Sequence, residues 1–310
     1  LKKTDEVIVP VQTFIATGTA VNNQSGKVVF AEVNPNTFCL DLSEIKKRKT
    51  KKTKAIMLVH FAGYMSNDIL KIKDYCKKNN IFIIEDCSHA FGTRYGNYNA
   101  GNIGEIGCFS FFSTKTLTTG EGGMLTTNSK KIYQYALSLR NRGEKINSPI
   151  EIYDKSWRNC RVPEFNAVLG LSQLSNIKKI NNHREMITSI YDEGIKKEKS
   201  NDIYSLPRYE KIYYSVWKHV SIIKNPKIKR DNLQKILKDK FNININWAYT
   251  PLLHLQPFYK KTMGTKQGDF PVTEDVASKH FHLPLHLKVT KNDAKYIVKS
   301  LFEAIKILKR

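Results

Sequence analysis

Ile81-Phe82-Ile83-Ile84-Glu85-Asp86-Cys87-Ser88-His89-Ala90, with Ile106-Gly107-Cys108-Phe109-Ser110-Phe111-Phe112-Ser113-Thr114-Lys115 after it, decides how this chain folds. The run Ile81 to Ile84 is rich in strand formers and too short for most helices, so it reads as a buried strand central to a parallel sheet. It ends on Glu85-Asp86, and ligands of open α/β sheets bind outside the carboxyl ends of the strands. A turn-rich segment containing Gly92, Gly96, Gly101 and Gly104 leads to a second apolar strand, Ile106 to Phe112. That strand delivers Lys115 into small hydroxyl residues, just ahead of the turn Gly120-Glu121-Gly122-Gly123. Burial favours the neutral amine, the form a nucleophile needs.

Outward from this stretch the rhythm is strand, helix, strand, which supports a parallel α/β sheet. Strands are expected at Glu6–Pro10, Val28–Val33 and Ala55–Phe61, with a weak helix signal from Gln12 to about Asn23. Ser66 reads as the N-cap of an amphipathic helix over about 67–79. His60, at a strand's carboxyl end, reads as a satisfied structural histidine. A helix follows at Lys130–Arg142. Pro163 then opens one long helical pattern, Glu164 to about Lys197, with Ala167, Leu171 and Leu174 at helical spacing. From about Ser200 a smaller α+β pattern takes over. It has strands at Val216–Ile223 and Ile243–Tyr249, and helices at Arg230–Lys240, Val272–Phe281 and Asn292–Leu308. A chain of 310 residues exceeds one typical core, so two domains are expected, 1–198 and 199–310. His280, His282 and His286 lack helical metal spacing and read as surface or loop histidines; no metal site is expected.

The formal charge is +23, carried by 41 Lys and 10 Arg against 28 acidic residues. Lysine scattered over solvated faces, with a locally basic substrate pocket, accounts for this more simply than a nucleic-acid face does. The five cysteines are odd in number and none is spaced C-x-x-C, which fits reduced thiols in a cytoplasmic protein. No apolar run reaches the roughly 18 residues that span a bilayer, and no membrane partner is expected. The segment 114–115 lacks the glycine of a Walker phosphate loop. Gly101, Gly104 and Gly107 precede a strand, where a dinucleotide fingerprint would open a helix.

Taken together, Ile84 to Ala90 and Cys108 to Gly123 resemble the DegT/DnrJ/EryC/StrS family of sugar aminotransferases dependent on pyridoxal 5′-phosphate (PLP). Two motifs, their order and the 29 positions from Asp86 to Lys115 carry the likeness, which extends in weaker form from about Glu6 to the C-terminus. The resemblance implies fold type I, the aspartate-aminotransferase-like α/β architecture, with a mainly parallel central sheet flanked by helices and a smaller C-terminal α+β domain. It assigns Lys115 the covalent attachment of PLP and the proton shuttle, and Asp86 the ring nitrogen. His89 and Phe14 fall to the ring, and Ser110 to the phosphate. Asn159 resembles the asparagine that reaches a neighbouring protomer's cofactor phosphate, which implies a homodimer.

Pro251-Leu252-Leu253-His254-Leu255-Gln256-Pro257 resembles the family's substrate loop, with one extra Leu and with Ala248 where many members carry His. It implies substrate contacts for His254 and Tyr249. The family's phosphate-gripping Gly-Thr-Ala segment normally precedes the first strand here, so Gly18-Thr19-Ala20 is not that segment; the true one, with the first helix, is expected to lie outside this chain. The implied reaction moves nitrogen, in most members from glutamate, to a keto sugar carried on a nucleotide. Relatives that dehydrate sugars have His where Lys115 stands. A catalytically lapsed structural or regulatory relative, and a basic nucleic-acid-binding module, are the alternatives; neither predicts a bound chromophore.

Overall fold

The computed structural model describes residues 1–309. In chain order its first part runs β1 (Glu6–Pro10), α1 (Ile15–Asn22), β2 (Lys27–Ala31), α2 (Leu42–Arg48), β3 (Thr53–Val59), α3 (Ile69–Lys78) and β4 (Phe82–Asp86). A small hairpin, β5 (Arg94–Tyr95) and β6 (Tyr98–Asn99), precedes β7 (Ile106–Ser110), β8 (Gly123–Thr126), α4 (Lys130–Arg140), α5 (Glu164–Ser175) and α6 (Ile177–Lys197). The second part holds β9 (Ile203–Ser205), β10 (Ile212–Tyr213), β11 (His219–Ile223), α7 (Arg230–Phe241), α8 (Pro257–Met263), α9 (Pro271–Lys279), β12 (His280–Leu283) and α10 (Lys291–Leu308).

Six strands form the main sheet in the order β2-β1-β3-β4-β7-β8, all parallel except β8, which runs antiparallel to β7. β4 lies inside it, as its apolar run requires, but only one of its faces is buried. Successive side chains of a strand point to opposite faces. Ile83 and Glu85 therefore face the interior, while Phe82 is 55% exposed and Asp86 shares its face. A second, antiparallel sheet is ordered β12-β11-β9. One buried cluster runs from Ile8 and Ile83 through Val220 and Phe281 to Leu301, so the two sheets share a core. Each such fully buried aliphatic side chain contributes about 1.5–3 kcal/mol.

Several expectations need correction. α3 begins at Ile69 with Asp68 at its N-cap position; the Ser66 hydroxyl accepts the Asp68 amide, in a turn ahead of the helix. The pattern from Glu164 to Lys197 breaks at Asn176, which separates α5 from α6. Its amide donates to the Ser172 carbonyl, a local bond that competes with a continuing helix. Residues 243–249 form no strand beyond one bridge, Asn246 to His282. Asn242, left-handed at the end of α7, turns the chain there. The segment expected as helix to Phe281 ends at Lys279 and continues as β12.

His280 and His282 are buried in that strand, not on the surface. Their polarity is met internally. His280 Nδ1 donates to the Ala277 carbonyl (2.9 Å), its Nε2 accepts from the Ala248 amide (3.3 Å), and His282 Nδ1 meets Asn246 Oδ1 (3.1 Å). His286 is exposed.

α5 has no buried residue although its sequence is apolar. Phe165 is 90% exposed and Leu171 69%, and Met124, Leu125 and Trp157 are also exposed. No helix among the described residues is long and apolar enough to cross a membrane. All five cysteines are free; Cys160 alone is exposed.

Candidate active site

β4 and β7 end side by side, with Asp86 paired to Cys108 in parallel register. Asp86 is held from two sides: Thr17 in α1 donates its hydroxyl to Oδ2 at 2.9 Å, and the Ser88 amide donates to Oδ1 at 3.1 Å. Thr13, one helical turn before Thr17, meets the Thr17 hydroxyl at 2.8 Å. The neighbouring Glu85 points the other way into the core. His60 Nε2 donates to it at 2.9 Å, as do the amides of Gly101 (3.0 Å), Ile103 (2.8 Å) and Gly104 (2.8 Å). Burial alone would raise its pKa; the bond and charge of His60 and the backbone donors outweigh that and hold it below the usual value. His60 is thus a structural histidine, and this pair braces the loop beneath the site.

Lys115 is half-buried, and its ammonium stands 4.8 Å from the centre of the Trp217 ring. Burial lowers its pKa, the Asp86 charge partly restores it, and Lys218 lowers it again. The free amine is therefore more accessible than in an ordinary lysine. His89 stacks flat on the Trp217 ring, with centroids 3.8 Å apart and planes at 13°. Its Nδ1 accepts the Ala62 amide (3.2 Å), so in the neutral ring Nε2 carries the hydrogen and donates to Tyr249 Oη at 3.0 Å. Burial, then Lys115 and Lys218, push the His89 pKa well below the usual imidazole value, which keeps it neutral. Burial and Asp86 raise that of Tyr249.

Trp217 and Lys218 were read as strand residues, but β11 begins only at His219. The segment before it crosses to the main sheet: Ser215 N–H donates to Thr93 Oγ1 (3.0 Å) and Trp217 N–H to the Ala62 carbonyl (2.9 Å). Gly63 permits this approach, with φ +94° and a hypothetical Cβ only 2.1 Å from the Ser215 carbonyl oxygen. The indole N–H then donates to the Thr114 carbonyl at 2.6 Å and anchors the lysine's own loop.

The other expected residues fall as follows. Phe14 precedes α1, 56% exposed, with its ring 5.8 Å from Tyr249. Ser110 ends β7, and its hydroxyl accepts the Phe112 amide at 3.3 Å. Asn159 is exposed on the loop after α4 and accepts the Arg161 amide; nothing joins it to Lys115 within the chain. His254 is fully buried, bonded to Glu274 (3.1 Å) and packed edge-on against Phe270 (4.8 Å), an enclosed place that offers no face to a substrate. Gly18 lies within α1 against Tyr259, where no phosphate fits. Thr17, Trp217 and Lys218 were missed. A Thr13/Thr17 pair at helical spacing was the only sequence signal for the first, and nothing local announced the other two.

A half-buried lysine and a nearby carboxylate at the carboxyl ends of parallel strands, on a mainly parallel α/β sheet flanked by helices, match the architecture of the aminotransferases of fold type I. The chain belongs to the DegT/DnrJ/EryC1/StrS aminotransferase family, whose model matches residues 1–302. The GDP-perosamine synthase of Escherichia coli O157:H7 is 32% identical over 299 residues, covering 96% of this chain and 79% of that protein. The dTDP-3-amino-3,6-dideoxy-alpha-D-galactopyranose transaminase of Aneurinibacillus thermoaerophilus is 31% identical over 300 residues, covering 96% and 78%. Among solved structures, the aminotransferase from Psychrobacter cryohalolentis superposes with a TM-score of 0.92 at 25% identity, covering 100% of this chain and 83% of that one.

The family's cofactor is PLP. The residues present fit it. Asp86 is a fixed carboxylate of the kind a protonated ring nitrogen needs, Lys115 is an amine with lowered pKa, and no ion pair among the described residues engages that amine.

Proposed function

We propose that this chain transfers an amino group from an amino acid, glutamate, to a keto sugar carried on a nucleotide, in the biosynthesis of surface polysaccharide or deoxyaminosugars. The observation that carries this reading is Lys115, held over Trp217 beside Asp86 with its amine shifted toward the neutral form. When bound, PLP supplies the electron sink of the reaction. Lys115 would hold it, and the Lys115 amine would move the proton at the substrate carbon. Asp86, fixed by Thr17 and Ser88, keeps the ring nitrogen protonated. His89, fixed by Ala62 and Tyr249, and Phe14 would lie against the ring, and Ser110 would donate to the phosphate. Tyr249 lines the substrate side.

The same reading makes the protein a cytoplasmic homodimer in which Asn159 serves the second copy's phosphate. The exposed apolar helix α5, continuous in sequence with the Asn159 loop, is the surface that such a dimer buries. The test is an absorption spectrum of the purified protein given PLP. A near-ultraviolet or blue band that borohydride bleaches, leaving a pyridoxyl group that stays on the wild-type chain through denaturation and is absent from Lys115→Ala, is the expected result. A folded protein with no such band, or full turnover by Lys115→Ala, overturns the reading.

A further inference from the structure

Beside Lys115 opens a cavity of about 920 Å³, walled by the Lys115 loop on one side and by β12 and the start of α10 on the other. Its charge is one-sided. Lys115, Arg184, Lys218 and Lys288 line it, and none of them forms an ion pair among the described residues. The one acidic residue in the wall, Asp293, is occupied by Thr290 in a helix-capping exchange. Lys218 is half-buried, 5.1 Å from the same Trp217 ring centre that lies 4.8 Å from Lys115, so the two ammonium groups stand within about 10 Å of each other.

Three of the lining residues, 8%, 7% and 2% exposed, each carry an enclosed polar atom with no partner: Thr116 Oγ1, Arg184 Nε and His282 Nε2. Buried polar groups are ordinarily satisfied, and leaving one unmet costs about 1–3 kcal/mol. Arg184 spends its other nitrogens on the Leu285 and Trp217 carbonyls. His282 gives its Nδ1 hydrogen to Asn246, which leaves Nε2 as an acceptor.

We propose that this cavity is the subsite for the phosphoryl group of the amino-accepting substrate, with Lys218 as its charge and Arg184 Nε as a donor, while His282 Nε2 and Thr116 Oγ1 meet hydroxyls of the attached sugar. This rests on the proposed function, and it adds which residues of the chain hold the substrate's far end. Burial, then repulsion from Arg184, lowers the pKa of Lys218, as expected of a cation placed to meet an anion that arrives from solvent. A dicarboxylate of glutamate's size would leave most of the cavity empty and would bring no hydroxyl for His282.

The test is calorimetric binding of inorganic diphosphate and, separately, of 2-oxoglutarate to the PLP-loaded protein, with cofactor content read from absorption on each sample. Lys218→Met should weaken diphosphate tenfold or more, Lys218→Arg should restore most of that loss, and both should leave 2-oxoglutarate within twofold. Circular dichroism and an unchanged Tm establish that each variant is folded. Normal cofactor uptake with no saturable diphosphate binding, or with diphosphate unaffected by Lys218→Met, overturns this assignment alone. Loss of 2-oxoglutarate binding in its place hands the cavity to the donor's carboxylate and also overturns it. Failure to take up cofactor refutes the proposed function, and the same diphosphate titration on the cofactor-free variants then decides the subsite by itself.

Discussion

Glu85→Gln is the substitution that tests the brace beneath the site. The side chain keeps its shape but loses its charge and one acceptor oxygen. In the wild type Oε1 takes the amides of Ile103 and Gly104, and Oε2 takes the Gly101 amide and His60 Nε2. A glutamine NH2 in place of Oε1 would confront two backbone donors that have no alternative. In place of Oε2 it would confront one, because the His60 ring can change tautomer and accept. The second orientation is therefore favoured, and it leaves the Gly101 N–H unmet. One buried unmet donor costs about 1–3 kcal/mol, and the remaining bonds lose their charge assistance, so the loss should be about 2–4 kcal/mol.

Urea denaturation of the two proteins at neutral pH measures it. The sign of the pH dependence follows from the depressed pKa of Glu85 in the fold. Its contribution is fully present above the unfolded carboxylate value of about 4.3 and is lost as pH falls through the folded value. The gap between wild type and Glu85→Gln should accordingly shrink in acid. A difference below about 1 kcal/mol at neutral pH, or one that does not shrink in acid, would refute the reasoning.

Asp86→Asn should still take up PLP but lose several orders of magnitude in turnover, because an amide cannot hold the ring nitrogen protonated; a turnover–pH profile matching wild type counts against that role. Mixing Lys115→Ala with Asn159→Ala under subunit exchange should recover up to about a quarter of wild-type activity, the ceiling for random pairing of symmetric dimers, and no recovery despite proven exchange argues against a shared site. Gly63→Ala should cost at least about 1–3 kcal/mol in backbone strain and lower activity as well, since its Cβ would displace the Ser215 carbonyl and with it Trp217. An unchanged Tm would show that the crossing at Ser215–Lys218 tolerates movement.

Asp86 and Lys115 were legible because each sits in a contiguous motif at the end of an apolar strand, where local pattern and chemical position coincide. The main sheet was legible for the same reason, apart from β8, whose short Gly-Met-Leu-Thr run carries no period. What escaped was whatever arrives from far along the chain. Thr17 reaches Asp86 across 69 residues, and Trp217 reaches Thr114 across 103. The run Val216 to Ile223 looks uniformly like a strand, yet Trp217 and Lys218 belong to the site, because their amides bond to Ala62 and not to β9 or β12. The apolar spacing over α5 points to helix, though not to the break at Asn176, and period alone does not say whether a face meets its own core or stays outside. His280 and His282 were misplaced because composition marks histidine as a surface residue, whereas pairing to Ala277, Ala248 and Asn246 makes it an acceptable interior one.

Trp217 ties together the end of β3 through Ala62, the Lys115 loop through Thr114, and α6 through Arg184. On a ribosome this has an order built into it. When the first two hundred residues have emerged, the parallel strands, Asp86, Thr17 and Lys115 are all present, but the indole, its lysine neighbour and the tyrosine that fixes His89 are still to be made. The nascent chain thus carries Lys115 before it carries Trp217 and Lys218 beside it, and the loop of Lys115 is still without the indole that ties it down.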